Sequence, residues 1–436
     1  MEDWVSVSVG RPPMVDVPPA MDAPPAAHCR FCNAILRHTF VNLGSMPLVN
    51  AYLRRDQLGT SEVSYPLHVY VCEQCFLVQH DTLVPPGALF NDYAYFSSYS
   101  DTWLLHAKAY ADMIVNRLGL GPRHQVVEIG SNDGYLLQYI MGHGVPVLGV
   151  EPAANVAEVA QQRGVPTRIA FFGAAMAADL AAEGFGADLL IGNNVLAHIP
   201  NLNDCVQGLA CLLNPQGVIT MEFPHVMRLM AENQFDTIYH EHFFYFSLLT
   251  VERVFAAHGL TIFDVEELPT HGGSLRIFAR HAVHPSLPIE PQVNALKARE
   301  IAAGLSDLPA YKAFAHQVEI TRREVRSFLL AAKRAGKHIV AYGAAAKGNT
   351  LLNASDIADM REVIDYVVDR NPYKQGRFLP GTHLPVQAPE HIRETRPDYL
   401  LILPWNVKDE IMQQMAHIRA WGGQFAVAIP KIRIYD

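Results

Sequence analysis

Short apolar runs alternate with amphipathic stretches from residue 101 to about residue 280. Val126, Val127 and Ile129 are β-branched and apolar, as a strand buried on both faces requires, and comparable runs recur at 146–150, 187–192 and 216–222. The segments between them, near 134–142, 153–163, 173–182 and 201–212, carry helical spacing. Strands alternating with helices predict a parallel, doubly wound α/β sheet. Thr261–Glu267 and Ser274–Arg280 flank the Gly272-Gly273 turn and read as two antiparallel strands added at its end. A long amphipathic helix is predicted between Leu308 and Ala335. Beyond it, apolar runs at 338–342, 364–369, 399–403 and 425–429 predict a second α/β unit. Residues 1–27 hold paired prolines among small residues, which cannot build a packed core, and read as an extended or disordered tail.

At 436 residues, with 50% hydrophobic and 18% charged positions, the chain has the composition of a globular protein of two or three domains. A net charge of −9 argues against nucleic acid or an anionic membrane surface as the main partner. No apolar stretch reaches the length of a membrane span, and Met1-Glu2-Asp3 opens no cationic, apolar signal pattern, so a cytoplasmic location is expected.

Two C-x-x-C pairs, Cys29/Cys32 and Cys72/Cys75, are separated by 39 residues. Four thiolates from two such knuckles close a tetrahedral shell around zinc and leave no open position for catalysis, so the expected metal is structural. A redox C-x-x-C or a pair of disulfides fits the spacing and a reducing compartment less well. Cys205 and Cys211 lie in a predicted helix and read as apolar filling.

The run Glu128-Ile129-Gly130-Ser131-Asn132-Asp133-Gly134 places a glycine-bracketed turn between a strand and a helix, where backbone N–H groups can approach a ligand. It lacks the G-x-G-x-x-G order of a dinucleotide site. Glu151, at the end of the next predicted strand, can accept both hydroxyls of a ribose. This pattern resembles the cofactor site of class I S-adenosylmethionine-dependent methyltransferases, with Glu128, Gly130, Asn132, Gly134, Glu151 and Asn193 expected around the cofactor. A second turn, Gly343 to Thr350 with Lys347 and Asn349, offers a phosphate cradle but not a P-loop.

Tyr239-His240-Glu241-His242 follows the strand ending Met221-Glu222-Phe223-Pro224. The histidines are two apart, so they are no His-Glu-x-x-His metal pair. Two imidazoles, a carboxylate and a phenol in one aromatic run instead suit proton transfer. Asn193, Asn194 and His198 follow another predicted strand and should face the same crevice. Tyr93, Tyr95 and Tyr99 fit packing of a domain junction as well as donation to an oxyanion.

These motifs, together with Y-A-Y-F-S-S-Y-S, G-V-E-P, N-N-V-L-A-H-I, A-Y-G-A-A-A-K-G-N-T and D-R-N-P-Y-K-Q-G, are similar to those of the three-domain sugar C-methyltransferases that act on nucleotide-linked keto-deoxysugars in antibiotic biosynthesis. The resemblance implies a zinc-binding domain over 28–90, a methyltransferase domain over 91–283 and a Rossmann-like domain over 284–436 holding a nucleotide-diphosphate sugar. It implies His242 as the general base, with Tyr239, Glu241, His198 and Tyr93 orienting substrate or stabilising an enolate, and Asn194, Tyr95, His240, Gly343, Lys347 and Asn349 binding substrate. An imidazole of ordinary pKa near 6.5 would need little tuning for that role. A monomer or homodimer is expected.

Overall fold

The computed structural model describes residues 27–81, 84, 96–284 and 287–436. The Pro-rich tail through residue 26 and the candidate residues Tyr93 and Tyr95 lie outside the described residues.

Three sheets make up the described chain. The first is antiparallel, formed by β1 (His38–Pro47), β2 (Ser64–Val71), β3 (Val78–His80) and, from far along the sequence, β9 (Phe244–Tyr245). The central sheet has the order β10-β11-β8-β7-β4-β5-β6, with β4 (Val126–Ile129), β5 (Val147–Glu151), β6 (Thr167–Ile169), β7 (Ala187–Asn193), β8 (Leu213–Pro224), β10 (Leu260–Leu268) and β11 (Ser274–His281). Pairing is parallel from β6 through β8, while β11 runs antiparallel to β8 and to β10. The third sheet has the order β14-β13-β12-β15-β16-β17, comprising β12 (Ile339–Tyr342), β13 (Tyr366–Val368), β14 (Val386–Gln387), β15 (Tyr399–Ile402), β16 (Gln424–Val427) and β17 (Arg433–Tyr435). In both α/β sheets the first strand sits centrally and the chain reverses direction around it. That creates a crevice at the carboxyl ends of β4/β7 and of β12/β15, where such sheets take ligands.

The helix Leu308–Arg334 joins the parts. Its apolar stripe, Tyr311, Phe314, Val318, Val325 and Leu329, is buried against both the antiparallel sheet and the third sheet. Phe40 of β1, fully buried, stacks on Phe314 with ring centroids 4.6 Å apart. Burial of one such side chain stabilises by roughly 1.5–3 kcal/mol. Loop contacts also tie the four-cysteine part to the third sheet: Leu53 bridges Phe378, and the Glu62 carboxylate accepts from His383 Nε2 at 2.6 Å.

The structure adds strands that the periodicity does not predict, β6, β14 and β17 among them, and departs from the predicted elements in three further places. The helix after the Gly130–Gly134 turn starts only at Leu137, since Gly134 sits at φ +78° and keeps the chain in the turn. Helices Leu248–Ala257 and Pro291–Ala302 were not predicted; the first is capped by Ser247 and by the buried Glu300, whose oxygens accept from the Leu248 and Leu249 N–H groups. Phe244–Tyr245, read from sequence as part of an apolar loop, pairs as β9 with β3. Among the described residues no helix is long and apolar enough to cross a membrane.

Candidate active site and zinc centre

Each C-x-x-C pair forms a knuckle with the residue after its second cysteine in the left-handed region, Asn33 at φ 62° and Phe76 at φ 60°. The N–H groups of Asn33 and Phe76 turn back to the Cys29 and Cys72 carbonyls. The four Sγ atoms lie within 4.8 Å of one another, with Cys29–Cys75 at 3.6 Å and Cys32–Cys72 at 3.5 Å. Sulfurs held tetrahedrally at about 2.3 Å from zinc stand roughly 3.8 Å apart, so the cluster fits the ion. Gln79 of the next strand steadies the shell: its Nε2 donates to Cys29 Sγ at 3.1 Å. His28 and His38 are engaged elsewhere, with the Asn33 carbonyl and Glu73.

A cavity of about 620 Å³ lies over the carboxyl edge of the central sheet and is walled by all three parts of the chain. Gly130, Asn132, Glu151 and Asn193 line one side. Gly130 sits at φ +65°, and a Cβ there would meet Val195 at 2.7 Å, so only glycine allows the turn. The Glu151 carboxylate accepts from the Asn132 and Ala153 N–H groups, at 3.0 and 2.9 Å, which holds it in place with a lone pair on each oxygen to spare. Burial raises its pKa. Both amide atoms of Asn193 are buried without a hydrogen-bond partner among the described residues. Such orphaned groups beside a cavity are what a polar ligand satisfies, and they fit the amino-acid and ribose parts of S-adenosylmethionine. Glu128 and Gly134 do not line the cavity. Glu128 is fully buried beneath the turn, beside the Tyr135 phenol, and Gly134 packs on Val165.

We expect Glu151→Ala to weaken S-adenosylmethionine binding roughly tenfold or more, because two charged-acceptor hydrogen bonds and the bracing of Asn132 go together. Calorimetry checks this; unchanged affinity places the ribose elsewhere.

His242 lines the same cavity. Its Nδ1 donates to the Thr237 carbonyl at 2.9 Å, which leaves Nε2 as the acceptor of the Tyr239 hydroxyl at 2.8 Å. The His198 ring meets it edge-on at 4.7 Å. Enclosure, with His198 and Lys347 nearby, holds the His242 pKa well below its usual value, and burial takes His198 down to about 4. The expectation of an unperturbed imidazole is therefore corrected: the ring stays neutral, at the cost of basicity. Glu241 accepts from Asn50 Nδ2 at 2.7 Å, and burial pushes its carboxyl up to about 7.

The third sheet contributes Lys347, whose Nζ is 2.8 Å from Asn406 Oδ1 and 4.8 Å from the Trp405 ring. Burial lowers its pKa, opposed by Asp236. Lys374 also lines the cavity, with Nζ donating to the Ala344 carbonyl at 2.7 Å. Asn194 lines it too, whereas three expected substrate residues do not. His240 turns toward the antiparallel sheet, within 3.1 Å of the Tyr65 carbonyl; Asn349 donates to the Val49 carbonyl; Gly343, at φ +94°, packs on Pro404. His240 and Asn349 thereby tie parts of the chain together, while Gly343 packs within the third-sheet part. Asn50, Trp103 and His271, like Lys374, line the cavity without a motif of their own in the sequence. Lys374 lay within D-R-N-P-Y-K-Q-G and His271 beside the noted Gly272-Gly273 turn, which were the available signals.

Because Glu241 has its pKa raised, its favourable contribution to folding is complete below the unfolded value near 4.3 and is lost as pH rises through about 7. Glu241→Gln keeps an acceptor for Asn50 but does not ionise. Its melting temperature relative to the parent should therefore rise between pH 5 and pH 8; a difference that stays flat contradicts the burial account.

Family profiles match the chain in three consecutive parts: a zinc binding domain over residues 29–90, a methyltransferase domain over 103–265 and a C-methyltransferase C-terminal domain over 269–430. Among solved structures, magnesium protoporphyrin IX methyltransferase from Synechocystis PCC 6803 with bound SAM aligns at 17% identity and a TM-score of 0.31, covering 43% of this chain and 85% of that one. The CcbJ methyltransferase of Streptomyces caelestis aligns at 14% identity and a TM-score of 0.32, covering 40% and 89%. The chain is 36% identical over 406 residues to C-methyltransferase NovU of Streptomyces niveus, a match spanning 93% of this chain and 96% of that protein. With that identity sustained across all three parts, the protein belongs to the S-adenosylmethionine-dependent C-methyltransferase family and carries that family's zinc-binding domain.

Proposed function

We propose that the protein methylates the carbon next to the ketone of a nucleotide-linked keto-deoxysugar, in the cytoplasm, as a step of antibiotic deoxysugar biosynthesis. The observation that carries this reading is the single cavity that places Glu151 and Asn193, the Tyr239–His242 pair and two cations, Lys347 and Lys374, around one space. The cations suit a diphosphate, and the imidazole pair suits a carbon acid.

Bound S-adenosylmethionine would be held by Gly130, Asn132, Glu151 and Asn193 and would supply an electrophilic methyl group for the substrate carbon. The residues of the chain prepare that carbon. Thr237 fixes the His242 tautomer, so Nε2 is the only basic nitrogen offered. The Tyr239 hydroxyl occupies Nε2 at rest. When it turns to donate to the sugar carbonyl, it polarises the ketone and frees Nε2 together, and the α proton moves to Nε2 while the C–H pair enters the enolate. Lys347 and Lys374 hold the diphosphate at the third sheet.

Incubation with S-adenosylmethionine and a panel of thymidine, uridine and guanosine diphosphate 4-keto-6-deoxyhexoses should yield a product heavier by one methyl in mass spectra. Methylation of no member overturns the substrate class.

A further inference from the structure

His271 sits at the tip of the β10–β11 connection, at φ 54°, between Thr270 and two glycines that also have positive φ. Left-handed backbone is uncommon outside glycine and persists where the surroundings fix it. Here they do. Thr270 Oγ1 donates to the buried Glu222 carboxylate at 2.9 Å, Gln234 Nε2 donates to the Gly272 carbonyl at 2.8 Å, and the His225 N–H donates to the Gly273 carbonyl at 3.0 Å. The turn holds the His271 ring in the wall of the cavity, 5.2 Å from the Trp103 ring. Its Nε2 lies 3.2 Å from Nδ2 of Asn194, itself at φ 55° at the end of β7. An amide N–H donated to Nε2 puts the ring proton on Nδ1, which has no hydrogen-bond partner among the described residues.

We propose that His271 is a further catalytic residue, whose Nδ1–H donates to the oxygen of the substrate enolate. The inference rests on the substrate reading above. An enolate oxygen accepts more than one hydrogen bond, and the Tyr239 proton is shared with the base, so a second donor independent of His242 is needed when charge reaches the oxygen. Burial, with Lys347 nearby, takes the His271 pKa down to about 4. The ring is then a neutral donor near pH 7 and does not compete as a base. As the α C–H bond breaks, its proton goes to His242 Nε2, the C–H pair forms the C=C bond, the carbonyl π pair moves to oxygen, and Nδ1–H stays on His271 throughout.

The test follows exchange of the α proton with deuterated water by NMR, in the presence of S-adenosylhomocysteine, for whichever panel sugar the parent enzyme exchanges. His271→Phe keeps the ring packing against Trp103 and removes the donor; His271→Asn suits the left-handed backbone and pulls the donor back. Either should lose roughly 10²–10³-fold in both exchange and methylation, with S-adenosylmethionine affinity unchanged by calorimetry. Parental exchange in either folded variant overturns the proposal. Absence of exchange by the parent on every sugar overturns the substrate reading, and this inference with it.

Discussion

His242→Ala is expected to lower turnover by roughly 10²–10⁴-fold while S-adenosylmethionine affinity stays nearly unchanged. The side chain meets Thr237, Tyr239 and His198 and makes no hydrogen bond to Glu151 or Asn193, so its loss removes the proposed proton acceptor and leaves the residues proposed for the cofactor in place. Exchange of the α proton should fall with turnover. Tyr239→Phe should behave differently: it removes a donor to the ketone but leaves Nε2 open, so exchange survives in part while methylation slows. If His242 only fills an aromatic pocket, the alanine variant melts lower and exchanges at the parental rate. That result would pass the base role to Glu241, which burial brings to about 7, or to His198, the remaining imidazole of the original candidates in the cavity. His240 is out of reach, held at the Tyr65 carbonyl.

Loss of zinc should be as damaging by a different route. Cys72→Ser, at a fully buried position, opens the shell and forfeits part of a metal-binding free energy of about 10–16 kcal/mol, a sum comparable with the total stability of a domain. The damage should travel, because β9, which continues directly from Tyr239–Phe243, pairs with β3 just beyond the Cys75 knuckle. His80 adds to that link, its Nε2 3.1 Å from the His240 carbonyl. Elemental analysis should find one zinc in the parent and less in the variant, with a lower melting temperature and reduced methylation. A metal-free variant that melts and turns over like the parent contradicts a structural zinc.

The parts of the fold written in local chemistry were legible in the chain. The strands 126–129 and 187–193 announce themselves by apolar runs, the zinc knuckles by cysteine spacing, and the Gly130–Gly134 turn by residues that tolerate positive φ. The pairing of β9 with β3 was not, since a two-residue strand more than 160 positions from its partner is set by tertiary contact and not by periodicity. The same holds within the site. Tyr239 and His242, three apart, fall in one quoted motif, but the tautomer lock needs the Thr237 carbonyl, and no side-chain pattern encodes a carbonyl. His240 and Asn349 looked equivalent to their neighbours in sequence and point instead at backbone carbonyls of other parts of the chain. Lys374 reaches the cavity only because the 369–376 turn folds back over Ala344.

The most direct test of carbon methylation beside a ketone is to supply S-adenosylmethionine with a ¹³C-labelled methyl and read the product by carbon NMR. The account predicts one labelled methyl with one-bond coupling to the ring carbon adjacent to the carbonyl carbon. A label attached to oxygen or nitrogen, or to a carbon not adjacent to the carbonyl, would contradict it.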